Sequence, residues 1–319
     1  MNVEATSAAI FHIDSLAGLA RPTYRPLTDL KRCPPPSAGG QVHLRHAMED
    51  NVSKGKVLIL GSNATRIEVK GGRWGATGQY LNETVVPAMA VIDAGYEVVL
   101  ATPNGEKPVI DKASDAPAHF GGDKEAYDRA KAFYADHPSM TPRMLRSVIE
   151  EGLDNYAGVF APGGQAPVVD LMQDQDVGDV LRHFHEKAKP TALLCHGPIS
   201  AVAAMPYARE FRAALIAGDP DKAAEWAKGW QYAGYKMTIF SSTEEKVIED
   251  NILHAKIYFH MPYALTLAGA NVTTTPVDFD PYVVEDRELI TGQNPRSDHP
   301  IGAALIAALD RQCEGKRAA

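Results

Sequence analysis

The chain has 319 residues, 45% of them apolar and 23% charged, with a net charge of −8 and an isoelectric point near 5.8. That length can bury a large core in one or two domains. The acidic balance argues against a nucleic-acid partner, which needs a basic face, and no run of about 18 apolar residues is present to span a membrane.

The first residues, MNVEATSAAIFHIDSLAGLA, carry Glu4 and Asp14 and no Lys or Arg, so they do not read as a secretory or mitochondrial leader. Three cysteines, Cys33, Cys195 and Cys313, lie far apart. A sparse, odd set makes no disulfide framework, and a reducing cytoplasm is the expected location. Residues 1–53 are rich in Pro and Gly and lack apolar periodicity, and they read as an irregular arm. Residues 54–319 read as a single domain.

KVLILGSN, Lys56 to Asn63, is a short apolar run ended by Gly and Asn, a buried strand. Gly-rich GGRWGATG follows, and Tyr80 to Asp93 has apolar residues at helical spacing with Gly95 as a stop. YEVVLAT is the next strand, which makes a βαβ unit and a parallel sheet. Residues 108–144 read as a polar insertion with one helix, KEAYDRAKAFYADH. YAGVFAPGG is a strand ending in a Gly pair, VVDLMQDQDVGDVLRHFHEKA a helix, and PTALL a strand. Residues 206–235 read as a helical insertion in which Trp226 and Trp230 pack. YKMTIFSS is then a strand and Glu244 to Leu267 a long helical stretch. ANVTTTP, YVVEDRELITG and the helix HPIGAALIAALDRQC complete the domain. The alternation predicts an α/β fold, a doubly wound, mostly parallel, flavodoxin-like sheet with helical insertions.

Ligands in such sheets sit at the carboxyl ends of the strands. Cys195 falls at such an end, where a strand turns into a helix, the geometry of a nucleophile elbow. A following helix N-terminus would lower the thiol pKa. The backbone N–H of His196 and of Gly164, in APGGQAP, are candidate oxyanion donors, and Gly163 and Gly164 would let a substrate come close. Spacing alone fits a buried inert thiol equally well, since Leu193 replaces the first glycine of the usual elbow pattern.

Four stretches in order, TGQYLNETVVPAMAVIDAGYEVVLATPNG, APGGQAPVVDL, LLCHGP and ELITGQNPRSDHPIG, resemble the ThiJ/PfpI superfamily, related in fold to class I glutamine amidotransferases. The arm and insertions resemble its larger subgroup, which holds glutathione-independent glyoxalases (glyoxalase III) and holding chaperones. The resemblance implies that Cys195 is a nucleophile, His196 its partner and Glu83 the carboxyl beside the sulfur. It implies a third acid near Glu245, with Glu244 as the rival. Ser241 with Glu244, or Ser242 with Glu245, also fits a capping box, and both readings stand at this point.

Some relatives hold a metal through two histidines and a glutamate. Here Ile92 stands at the first histidine and Glu97 at the glutamate, so no metal is expected. His183 and His185 lie about 200° apart around a helix and cannot share an ion from one face, and His254 and His260 read as surface or packing residues. No cofactor is expected. The implied activity is cysteine-dependent conversion of methylglyoxal or glyoxal to 2-hydroxy acids, a lyase of the D-lactate dehydratase type, with deglycation as an extension. The alternatives are a holding chaperone for unfolded clients, for which AAIFHIDSLAGLA is a candidate apolar patch, or a cysteine hydrolase or hydratase acting on an amide or isonitrile. The resemblance also implies a homodimer. Trp74, in the Gly-rich loop before the Glu83 helix, is expected to shape substrate access.

Overall fold

The computed structural model describes residues 53–318. The expected arm, with Cys33 and the apolar AAIFHIDSLAGLA, lies outside the described residues except for residue 53.

The chain enters as β1 (Lys56–Leu60), followed by a hairpin of β2 (Arg66–Val69) and β3 (Arg73–Ala76). The helix Leu81–Asp93 leads to β4 (Glu97–Thr102). Next come the short β5 (Arg143–Met144), β6 (Tyr156–Ala161) and β7 (Thr191–Leu194). The two-residue strands β8 (Lys236–Met237) and β9 (Asn271–Val272) pair with each other. The hairpin β10 (Val283–Asp286) and β11 (Leu289–Gly292) precedes the helix Asp298–Ala318. Seven strands form one sheet in the order β10–β11–β7–β6–β1–β4–β5. All pairings are parallel except β10 with β11.

β1 is apolar throughout because both faces of the sheet are covered. Val57 and Ile59 join one core, with Val85 and Ala88 of the first helix and Ile301 and Leu305 of the last. Leu58 and Leu60 join the opposite core, with Val177, Val180 and Phe184 of the helix Gln175–Glu186. The period of two along one strand thus becomes two packed layers. The chain builds outward from β1 to β4 and β5, then crosses to β6 on the other side. At such a reversal the loops leaving the carboxyl ends diverge and leave a crevice.

The 206–235 insertion forms the helices Ala208–Ala217 and Pro220–Trp226. Trp230 is buried and donates its indole N–H to the carbonyl of Ala201 at 2.8 Å. Trp226 packs at a tilt against Tyr207 with ring centroids 5.0 Å apart. Trp230 thus ties the insertion to the segment Gly197–Ala204 and Trp226 packs within the insertion, the packing role expected of both.

The structure corrects three sequence expectations and shows what YVVEDRELITG forms. Glu244–Leu267 is not one helix: Ser242–Ile248 runs into a π turn at Glu249–Leu253 and stops at His254, with φ at 48°. The carboxylate of Glu249 accepts the N–H of Ile257 at 2.8 Å, which turns the chain, and a second helix starts at Met261 with a proline in its first turn. YKMTIFSS is a strand only at Lys236–Met237, because Thr238 donates its N–H to the Thr291 hydroxyl instead of to a strand. YVVEDRELITG is a hairpin, turning at Arg287 with φ at 58°. The segment around Trp74 is a hairpin rather than a loop, turned by Gly71 and Gly72 with φ of 90° and 70°.

Among the described residues, no helix is long and apolar enough to cross a membrane. Replacing Trp230 with Phe removes the bond to Ala201 and leaves a buried carbonyl short of a donor. We expect a loss of about 1–2 kcal/mol in urea unfolding.

Candidate active site

β7 ends at Leu194, and the next residue, Cys195, takes φ of 60°, a left-handed conformation that a side chain rarely adopts. That conformation costs roughly 1–2 kcal/mol. It is held because the Cys195 N–H is bonded to the Gly292 carbonyl at 2.8 Å, and its own carbonyl accepts the Phe240 N–H at 3.0 Å. The turn throws the sulfur into the crevice beyond the sheet, as the elbow reading requires. The segment after it, Gly197–Ala204, is a 3-10 helix rather than the expected α-helix.

Cys195 Sγ lies 3.3 Å from His196 Nδ1, and His196 Nε2 lies 2.8 Å from Glu245 Oε2. The carboxylate holds the imidazole proton on Nε2 and leaves Nδ1 free to accept the thiol proton. Phe240 flanks the imidazole with ring centroids 4.6 Å apart. Gln165 donates its side-chain amide to the second oxygen of Glu245, so this buried carboxylate is bonded on both sides.

The rival acid is occupied elsewhere. Ser241 and Glu244 form a capping box: the Ser241 hydroxyl accepts the Glu244 N–H, and the Glu244 carboxylate accepts the Ser241 N–H at 2.8 Å. Its other oxygen accepts N–H groups from Phe279 and Asn294 at 2.7 and 2.9 Å. Adjacent acids on one helix turn thus have separate tasks. Glu244 ties down the helix start and Glu245 meets the histidine.

Glu83 sits in the first turn of the helix Leu81–Asp93, fully buried. One carboxyl oxygen accepts the Gly163 N–H at 2.8 Å. The other has no nitrogen or oxygen donor and faces the Cys195 sulfur. Burial pushes its pKa up to about 8, with the Cys195 and Gly163 hydrogen bonds opposing the rise. The carboxyl is therefore protonated at neutral pH and can donate to the sulfur.

The thiol departs from the sequence expectation. Burial pushes the Cys195 pKa up, and the neighbouring Glu83 pushes the same way. The N–H of Gly164, directed at the sulfur, opposes them. An elbow on an exposed α-helix start would lower a thiol pKa, but here 2% exposure reverses the sign. Ionisation must therefore come from transfer to the adjacent imidazole.

Gly163 and Gly164 are both required by close packing. A Cβ on Gly163 would lie 2.7 Å from the Cys195 Cβ and 2.8 Å from a Glu83 carboxyl oxygen. Gly164 has φ of 83°, and a Cβ there would lie 2.1 Å from the Gly78 carbonyl. Trp74 does not reach the site. It is 54% exposed on the β2–β3 hairpin, and Ala76 at the hairpin's end lines the cavity instead. The hairpin replaces the loop that would have carried the indole inward.

The cavity above the sulfur holds about 20 Å³. Its polar wall includes Tyr80, Asp111 and His119, and its apolar wall Phe240, Ile248 and Phe279. Sequence reasoning missed these residues. Asp111 and His119 come from the 108–144 insertion, whose irregular sequence carries no periodic signal. Burial lowers the His119 pKa to about 4, so its ring is neutral at neutral pH. Burial raises that of Asp111.

Among the described residues, no three His, Cys, Asp or Glu side chains converge to hold a metal ion. Glu97 is exposed at the start of β4 beside Lys56, and Ile92 is a half-buried apolar residue of the first helix. His185 is bonded to Glu288 at 2.7 Å, His183 lies 3.3 Å from Asp154 and His260 3.4 Å from Glu249.

A strand-end cysteine with an adjacent histidine and a buried glutamate defines a class of cysteine-centred α/β proteins, and the chain is similar to known proteins of related fold. Residues 76–214 match the DJ-1/PfpI family. A protein/nucleic acid deglycase, HchA of Staphylococcus aureus, is 26% identical over 258 residues, 79% of each chain. Two solved structures share the fold. Rapid Encystment Protein 24 kDa of Francisella tularensis has a TM-score of 0.61 at 20% identity, covering 80% of this chain and 99% of its own. Glyoxalase III of Candida albicans has a TM-score of 0.59 at 21% identity, covering 80% and 97%.

Glu83 also sets a pH dependence of stability. Its folded pKa of about 8 lies above the ordinary value of 4.5. Its contribution is therefore fully present below 4.5 and is lost as pH rises towards 8, on the order of a few kcal/mol in all. Glu83→Gln removes this loss. We expect its melting temperature to exceed that of the wild type at pH 8, and the difference to shrink at pH 5, by scanning calorimetry.

Proposed function

We propose that the protein converts small 2-oxoaldehydes to 2-hydroxy acids with Cys195 as nucleophile and without glutathione. The observation that carries this reading is the pair of proton-handling groups against one sulfur. His196, backed by Glu245, lies 3.3 Å from it, and the protonated Glu83 carboxyl faces it as well. A hydrolase needs the first group. An internal proton shift between two carbons of a bound substrate needs the second as well.

In this reading His196 Nδ1 takes the thiol proton and Cys195 Sγ bonds to the aldehyde carbon. Glu83 donates its proton to the resulting oxyanion, which gives a hemithioacetal and a carboxylate. The carboxylate removes the hydrogen from that carbon, while the imidazolium protonates the neighbouring carbonyl oxygen, which gives an enediol. Glu83 returns its proton to the second carbon and His196 takes the hydroxyl proton of the first, which leaves a thioester of a 2-hydroxy acid. Glu83 then deprotonates a water that attacks the thioester, and His196 returns its proton to the departing sulfur. The sum is oxoaldehyde plus water to 2-hydroxy acid, and both residues regain their starting protonation. The steps as written call on no metal or nucleotide. The N–H of Gly164, aimed at the sulfur, and that of His196 are the candidate donors for the oxyanion.

The name of the HchA relatives supports a chemistry of this type. The depth of the sulfur, 2% exposed beneath its cavity, favours a small substrate over a peptide. An amide or isonitrile would use the same cysteine, and the test separates these. Methylglyoxal supplied without glutathione should give lactate with the wild type. Cys195→Ser and Glu83→Gln should each lower kcat/KM by about 10³-fold or more, and Glu245→Gln by about 10²-fold. Because Glu83 starts protonated, kcat/KM should fall as pH rises through about 8. If the wild type makes no lactate while Cys195 still reacts with iodoacetamide, the oxoaldehyde reading is wrong.

A further inference from the structure

Arg296 is the single Lys or Arg among the residues that line the cavity over Cys195. It lies in the turn Pro295–Ser297, between β11 and the helix Asp298–Ala318. Its side chain is exposed at the cavity's rim. Its backbone N–H is bonded to the side chain of Asn294, but its guanidinium has no ion-pair or hydrogen-bond partner among the described residues. Several other surface arginines are paired, Arg143 with Glu151, Arg146 with Asp176 and Arg287 with Asp286, while Arg209, which does not line this cavity, has no such partner among the described residues.

The surroundings make this unpaired cation informative. The cavity wall holds Asp111, and Glu245 lies behind His196. Asp111 is satisfied by the N–H groups of Ala113 and Gly78 rather than by Arg296. The guanidinium is therefore not there to neutralise a lining acid. An anion approaching Cys195 is repelled by these carboxylates, and Arg296 is the one lining charge that attracts it. A planar guanidinium with free donors matches a carboxylate.

We propose that Arg296 is the specificity-determining residue of this cavity, which binds the carboxylate of short aldehydes whose other end reaches Cys195. The assignment of a reaction to such substrates rests on the oxoaldehyde reading above, and the anion site does not. The substrate class is then a 2-oxoaldehyde with a carboxylate at its far end, for which 4,5-dioxopentanoate is a probe and methylglyoxal the uncharged reference.

The test uses two thiol reagents of nearly equal size that differ in charge, iodoacetate and iodoacetamide. Each forms a carbon–sulfur bond and releases iodide. Labelling of the full chain is read at the Cys195 peptide by mass spectrometry, which separates it from Cys33 and Cys313. We expect Arg296→Gln to lower the iodoacetate-to-iodoacetamide rate ratio by about fivefold at low salt, Arg296→Lys to keep most of it, and high salt to narrow the difference. The ratio is taken within each variant, so a general change in thiol reactivity cancels. The kcat/KM ratio of 4,5-dioxopentanoate to methylglyoxal should fall by a similar factor in Arg296→Gln. An alkylation ratio unchanged in that variant overturns the proposal. A ratio that falls while the wild type turns over neither aldehyde supports the anion site and rejects the oxoaldehyde reaction. Failure of both reagents to label wild-type Cys195 overturns the proposal.

Discussion

The site depends on a carboxyl group buried against a sulfur. Two anions in contact in a dry site cannot coexist, so the Glu83–Cys195 pair must hold a proton at neutral pH. Both partners in fact hold one: burial raises the Glu83 pKa to about 8 and pushes that of the thiol up as well. The arrangement is costly, because a carboxyl in this position gives up its hydration and recovers a single N–H bond, from Gly163. It persists because the surrounding structure offers it no alternative. The helix carrying Glu83 is clamped between β1 and the last helix, and the Gly163 backbone closes the remaining side.

The elbow meets the same constraint from the other direction. A left-handed Cys195 is strained, and the strain is absorbed by two backbone bonds from elements distant in sequence, at Gly292 and Phe240. These bonds also bring β11 and the Glu245 helix to the sulfur. One set of contacts therefore fixes the position of Cys195 and delivers the carboxylate that meets His196. Cys195 and His196, being adjacent in the chain, need no such assembly. The long-range placements are confined to the two carboxyls, Glu83 and Glu245.

How far the sequence reveals this differs from part to part. β1, β4, β6 and β7 are visible as apolar runs because each is buried on both faces and ends at a glycine or a turn. Cys195, His196 and Glu83 are visible through the motifs around them. The choice between Glu244 and Glu245 is not, since adjacent acids after Ser-Ser satisfy both a capping pattern and a site pattern. Only the direction of each side chain separates them, and Phe279 and Asn294, far along the chain, settle that direction for Glu244. The sign of the thiol's pKa shift was equally out of reach. A strand–helix junction argues for a lowered value, and burial, which spacing does not encode, overrides it. Asp111 and His119 were missed because an insertion reports its docking only through tertiary contact. The break at His254 was missed because the apolar spacing continues through it while Glu249 captures the backbone of Ile257.

The depth of Cys195 bears on the form in which an electrophile can arrive. With its sulfur 2% exposed beneath the cavity, a small free molecule reaches it more readily than a side chain still attached to a folded protein. Aldehydes add reversibly to amines, so an early adduct on a protein is in equilibrium with the free species. An enzyme that consumes only the free species draws that equilibrium towards dissociation. Adducts would then disappear from proteins the enzyme never touches, at a rate set by their own dissociation rather than by encounter with Cys195.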